Sequence, residues 1–199
     1  MTTPIKHRYD PVTQSLHWVI AIAVVAAYVI GIVREDLPKN DFRAWLLTLH
    51  MSLGMVVMAL SVLRIGWRQI SPGPAPLPAK PVATLAAKAV HLALYVAMLS
   101  IPVIGLFAAW AKGRTVGFFD LAILPSPIAV DKPLAKSLEG LHEVAAHAML
   151  LLAGLHAVAA IGHQWLLKDG TLGRMLPFLS AKPAPKTDRP HHGQVFAGE

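Results

Sequence analysis

Four long apolar runs, separated by polar segments, dominate the chain. Ser15 to Val33, Ala44 to Leu63, Ala89 to Ala111 and Val144 to Leu167 hold no Asp, Glu, Lys or Arg, and they run for 19, 20, 23 and 24 residues. At about 1.5 Å of rise per residue, a helix of any of these lengths crosses most or all of a hydrocarbon layer about 30 Å thick. Soluble helices of that length show a charged face, and these show none. The pattern predicts an all-α integral membrane four-helix bundle with spans at about 13–33, 44–65, 87–111 and 138–164. Residues 1–177 form the membrane domain. The stretch 178–199, rich in Pro, Lys and His, is expected to be a disordered cytoplasmic tail.

The segments between the runs set the threading. Asp10-Pro11 suits the start of a helix. Arg34 to Arg43 is short, so helices 1 and 2 are expected to be antiparallel neighbours. The proline-rich Ser71 to Pro81 reads as a stiff extended connector. Lys112 to Leu138, with three prolines, reads as the longest loop. Pro102 in the third run should free the carbonyl of Met98 and kink that helix. The first run lacks a small-residue cleavage site and carries a histidine, so it is expected to be a retained span rather than a signal peptide.

Composition narrows the chemistry. Hydrophobic residues make up 55% and charged residues 15%, which is too apolar for an ordinary soluble domain of 199 residues. There is no cysteine, which removes disulfides, iron–sulfur clusters, thiolate zinc sites and covalent haem attachment. The net charge is +7. Most Lys and Arg fall in the N-terminal tail (Lys6, Arg8), the second loop (Arg64, Arg68, Lys80, Lys88) and the C-terminal segment, so the positive-inside rule places both termini in the cytoplasm. The partner medium is membrane lipid, and no nucleic-acid partner is expected.

The candidate chemistry is histidine. His17, His50, His91, His147, His156 and His163 lie within the apolar runs, and His142 sits at the edge of the fourth. Ionisable residues inside spans are rare and mark sites or pathways. With the helices running alternately inward and outward, His17 lies near the inner face, and His50 and His142 near the outer face. His156 follows His142 by 14 residues, about 21 Å deeper and nearly four full turns on. The two therefore share one face at two depths. This predicts His50 paired with His142 outside and His17 paired with His156 inside. Each pair is suited to hold the iron of one non-covalent b-type haem through two imidazoles. Gly54 and Gly154 are candidates for small residues that let a flat macrocycle approach.

The other histidines have several candidate roles. His91, near the inner side, is a candidate to replace His17, to contact a haem propionate or to help bind a quinone. His163, beside Trp165, is a candidate for a quinone pocket or an interfacial residue. His147 lies about 140° around the helix from His142 and should not share its haem. The run His142-Glu-Val-Ala-Ala-His147 has the wrong spacing for a zinc protease motif.

Several short pieces occur together in order: Ser15-Leu-His-Trp18, Leu49-His-Met-Ser-Leu-Gly54, His91 with Tyr95 and Pro102-Val-Ile-Gly105, Leu141-His-Glu143, Gly154-Leu-His-Ala157 and Lys168-Asp-Gly-Thr-Leu-Gly-Arg-Met-Leu-Pro177. In these the chain resembles the bacterial four-helix cytochrome b561 family, which includes superoxide oxidase. The resemblance covers about Tyr9 to Pro177. It implies a multi-pass protein of the bacterial inner membrane with two b haems on His17, His50, His142 and His156. It further implies superoxide or another one-electron donor outside and ubiquinone as acceptor inside. The alternative is a cytochrome b anchor and electron relay for a partner dehydrogenase or hydrogenase. The outer-loop cations Arg34, Lys39, Arg43, Lys112, Arg114, Lys132 and Lys136 are candidates either for steering a small anion or for an ordinary solvated surface.

Overall fold

The computed structural model describes residues 8–77, 80–119 and 121–176; the expected tail lies outside them. Four helices carry the fold: α1 (Pro11–Val33), α2 (Asp41–Ile70), α3 (Pro81–Ala111) and α4 (Lys132–Trp165). All four are long and apolar enough to cross a membrane. Their outward faces are greasy: Ile22 is 67% exposed and Leu151 68%. A surface of that kind is stable against lipid and not against water.

Each helix starts where its sequence supplies a stop for the first turn. Asp10, Asn40 and Asp131 accept from the backbone N–H of Thr13, Arg43 and Leu134, capping α1, α2 and α4. Pro11 and Pro81 open α1 and α3, where a missing N–H costs nothing.

Neighbours pack in sequence order, α1 on α2, α2 on α3 and α3 on α4, while α1 and α4 are not closely packed. Lipid gives no hydrophobic drive between helices, so small side chains that admit close approach do the joining. Ser52 and Ser61 of α2 are fully buried, and Ser61 Oγ donates to the sulfur of Met98 at 3.7 Å. Ile20, Ala23 and Val57 form a buried cluster between α1 and α2.

Two segments close the ends. At one end, the loop between α3 and α4 folds into a small antiparallel hairpin, β1 (Val116–Phe118) and β2 (Ala122–Leu124), with Val116 opposite Leu124. Val116 is buried against Trp110, and the N–H of Phe119 donates to Ser52 Oγ at 2.8 Å. At the other end, the strap after α4 returns to the start of α1. Tyr9 N donates to Arg174 O, Gln14 Nε2 to Arg174 O and Trp18 Nε1 to Met175 O. These are called the hairpin end and the terminal end.

The helices run past the expected spans. The expected loop Lys112 to Leu138 contains the hairpin, and α4 begins within it at Lys132. Arg64 and Arg68, counted as loop cations, lie inside α2, and Lys88 lies inside α3. Charged residues in its first and last turns, Asp41 and Arg68, extend α2 beyond its apolar core, and a search for uninterrupted apolar runs stops short of them.

Asp10 shows what holds α2 beyond its apolar core. Its carboxylate accepts from Thr13 N and Oγ1, from Trp67 Nε1 at 3.1 Å and from Ser71 Oγ at 3.1 Å. It thus joins the first turn of α1 to the last turn of α2. Partial burial pushes this carboxyl upward, but the hydrogen bonds from Thr13, Trp67 and Ser71 outweigh it and hold the group well below the usual carboxylate range. A lowered native pKa stabilises the fold above the unfolded value near about pH 4, and that contribution is lost as the pH falls through the native value. Asp10→Ala is expected to cost about 1–2 kcal/mol and to flatten the acid limb of stability. Thermal unfolding in detergent across the acid range checks both.

Candidate functional site

At the hairpin end, His50 of α2 and His142 of α4 face each other, ring centroids 5.9 Å apart and planes at 76°. Both rings are fixed in the same way from a neighbouring helix. His50 Nδ1 lies 2.8 Å from the carbonyl of Ala27 on α1, and His142 Nδ1 lies 3.0 Å from the carbonyl of Ile101 on α3. A carbonyl only accepts, so these contacts place the proton on Nδ1 and leave the Nε2 lone pair free for a metal.

In both cases a glycine stands four residues after the accepting carbonyl. A Cβ on Gly31 would lie 3.1 Å from His50 Cε1, and one on Gly105 would lie 2.8 Å from His142 Cε1. Because helical Cβ atoms lean toward the preceding turn, a side chain there would occupy the space of the imidazole that reaches the carbonyl. Ala27-to-Gly31 and Ile101-to-Gly105 are thus two copies of one seat. Beside the couple lies a half-open cavity of about 60 Å³, mostly apolar, lined among others by Tyr28, Gly54, Pro102 and Met149.

At the terminal end, His17 of α1 and His156 of α4 stand with centroids 6.4 Å apart and planes at 81°. His91 of α3 lies 5.2 Å from His156. Arg64 of α2 is 8% exposed, its Nε donates to Tyr95 Oη at 3.1 Å, and its charge acts on His17, His91 and His156.

These spacings can be tested against a metal. Two imidazoles on opposite sides of one ion, with metal–nitrogen bonds of about 2.0–2.1 Å, have centroids about 6–6.5 Å apart. The 5.9 Å and 6.4 Å couples match that span closely, whereas His91 and His156 are too near each other. A second observation concerns charge. Arg34, which acts electrostatically on His50 and His142, has a buried Nε with no hydrogen-bond partner. A dicarboxylate porphyrin would supply acceptors for such a donor. The side chains present therefore fit haem b.

The remaining candidates separate. His147 Nδ1 donates to the carbonyl of Glu143 at 2.8 Å, and the ring packs edge-on against Tyr28 across the α1–α4 gap. It does not join the hairpin-end couple. His163 Nδ1 meets Asp169 Oδ2 at 2.5 Å. Burial raises the Asp169 pKa, but hydrogen bonds from Thr171 and His163 more than offset that and lower it overall. Trp165 is 66% exposed, and among the described residues no ring contact joins it to His163. Gly54 lines the hairpin-end cavity as expected, but Gly154 has nothing within 4 Å of its would-be Cβ. The glycines that touch the imidazoles are Gly31 and Gly105. Their sequence signal is weak, a glycine in an apolar run, and only the packing of neighbouring helices gives it meaning.

Of the hairpin-end cations, Arg43 is spent on the carbonyls of Glu35 and Leu37, and Lys112 is paired with Glu139. Arg34 is 3.6 Å from Glu35, with Arg114 and Arg43 also within electrostatic reach.

Comparison with known proteins identifies the family of the chain. The family model "Prokaryotic cytochrome b561" matches residues 8–178. "Cytochrome b561 homolog 2" of Escherichia coli K12 is 34% identical over 87% of this chain and 94% of that protein. "Probable superoxide oxidase CybB" of Yersinia pestis is 29% identical over 85% and 96%. "Cytochrome b562" of Cereibacter sphaeroides is 29% identical over 84% and 94%. With four membrane-length helices and a family match along almost all of its described length, the chain belongs to the prokaryotic cytochrome b561 family, multi-pass helical membrane bundles that bind b-type haem and carry electrons.

Proposed function

We propose that this protein oxidises superoxide at its hairpin end and reduces ubiquinone at its terminal end, using two haems b. The observation that carries the reading is the pair of imidazole couples, His50 with His142 and His17 with His156, at iron-spanning distances toward opposite ends of one bundle. When bound, each haem supplies a one-electron carrier. The four histidines His17, His50, His142 and His156 would hold the two haems, and the chemistry the haems would supply there is outer-sphere electron transfer. Two superoxide anions give up two electrons and leave as two molecules of oxygen; one quinone takes those electrons and two protons to become the quinol.

The residues around each couple support that polarity. The hairpin end carries Arg34, whose charge reaches His50 and His142, with Arg43 and Arg114 near Arg34, which favours encounter with a small anion. At the terminal end, His163 braced by Asp169 lies near the membrane boundary, with Trp165 exposed beside it. These two are the proposed neighbours of the quinone headgroup, and His91 the proposed neighbour of the macrocycle edge. The positive-inside rule places the hairpin end on the periplasmic side and both termini in the cytoplasm.

The test is to add enzymatically generated superoxide to the purified protein with a short-chain ubiquinone. The expected result is haem reduction followed by quinol formation at one quinol per two superoxides. Haem that stays oxidised under superoxide overturns the donor assignment.

A further inference from the structure

We propose that Arg64 is the anion anchor of the terminal-end haem site: its guanidinium holds a porphyrin propionate and raises the reduction potential of that haem. This rests on the reading of His17 and His156 as an axial couple.

The first support is register. On α4, His142 and His156 are 14 residues apart and share one face at two levels. On α2, His50 and Arg64 are separated by the same 14 residues. Fourteen residues bring a helix to within about 40° of four full turns, some 21 Å along its axis. The face of α2 that offers an imidazole at the hairpin-end level therefore offers a guanidinium at the terminal-end level.

The second support is charge. Arg64 is 8% exposed inside a membrane-length helix. Among the described residues, the ion pairs involve Arg34, Lys112 and His163, and no carboxylate lies within ion-pair distance of Arg64. A cation in that position is costly unless an anion offsets it. Tyr95 Oη takes one of its five N–H donors, but a neutral phenol does not balance a charge. A bis-imidazole ferric porphyrin does: the macrocycle core neutralises two of the three iron charges, and two ionised propionates leave a net charge of −1. One guanidinium brings the site to neutrality. A planar fork against a carboxylate is also the geometry for which arginine differs from lysine.

The third support is proximity, since the charge of Arg64 acts on all three terminal-end imidazoles, His17, His91 and His156. A fixed positive charge there favours the ferrous form, which carries one more electron.

The experiment is a potentiometric titration of the full-length protein followed in the visible band. Arg64→Gln is expected to lower one of the two midpoints by at least 59 mV, a tenfold shift in the one-electron equilibrium, and to leave the other less changed. Tyr95→Phe, which keeps the charge, should leave both near wild type, and Arg64→Lys should fall between. Unchanged midpoints in Arg64→Gln with both haems retained would make Arg64 a helix–helix strut and overturn the proposal. Should Arg64→Gln fail to fold, the wild-type chain decides. Apoprotein reconstituted with iron protoporphyrin dimethyl ester, which has no propionate charge, is expected to bind at least tenfold more weakly than with haem b at the site that His17→Ala empties. Equal affinity there overturns the proposal. Failure of the underlying couple looks different, because His17→Ala would then leave the haem count unchanged.

Discussion

His142→Ala is expected to yield a folded protein with one haem instead of two, and His50→Ala is expected to lose that same haem. His17→Ala and His156→Ala should each remove the other. The reason is that, among the described residues, each couple is the only imidazole pair at its level with an iron-spanning separation, 5.9 Å at the hairpin end and 6.4 Å at the terminal end. His147 is turned to Tyr28 and cannot substitute for His142. His91 sits too close to His156 to share an iron with it on opposite sides. Loss of one axial ligand removes a metal bond, so the effect should exceed the 10–100-fold typical of losing a partner behind the ligand. Haem extraction with a per-chain count, together with the reduced-minus-oxidised spectrum of each variant, tests the assignment. Loss of one and the same haem from His17→Ala and His50→Ala would contradict it.

Gly105→Ala should be nearly as damaging, although it adds one methyl group and removes nothing. A Cβ there would meet His142 Cε1 at 2.8 Å and Nδ1 at 2.9 Å, inside the contact limit for carbon. The methyl group is fixed to the helix backbone, so the ring has to move, and moving it breaks the hydrogen bond to the Ile101 carbonyl. We expect a 10–100-fold loss of haem affinity at the hairpin end. Gly31→Ala should act in the same direction more mildly, because its nearest contact with His50 is 3.1 Å. Gly154→Ala is the control. Nothing lies within 4 Å of that position, and alanine improves helix propensity by about 0.5–1 kcal/mol. Haem titration into apoprotein ranks the three, and equal affinities for Gly105→Ala and wild type would discard the seat.

The bundle was legible in the sequence because membrane spans announce themselves by length alone, and the imidazole pairs because helical rise and antiparallel threading turn sequence positions into depths. His142 and His156 needed only the 14-residue interval to be placed on one face. What stayed hidden depends on neighbours. Gly31 and Gly105 gain their roles from histidines on other helices, and no spacing within α1 or α3 signals them. Arg64 reads as a loop cation when the apolar run is taken as the whole helix, yet α2 continues to Ile70, held by the Asp10 carboxylate. The hairpin was missed because two strands of three residues are too short to show alternation.

The loose seam between α1 and α4 has a consequence for biogenesis. Three helix–helix joints hold the bundle, and the fourth is bridged by rings, Tyr28 against His147 and His17 facing His156, and closed by the strap at one end. A joint made of ring edges parts more readily than one of interlocked small side chains, and it is the expected place for a flat, apolar group to enter from the bilayer.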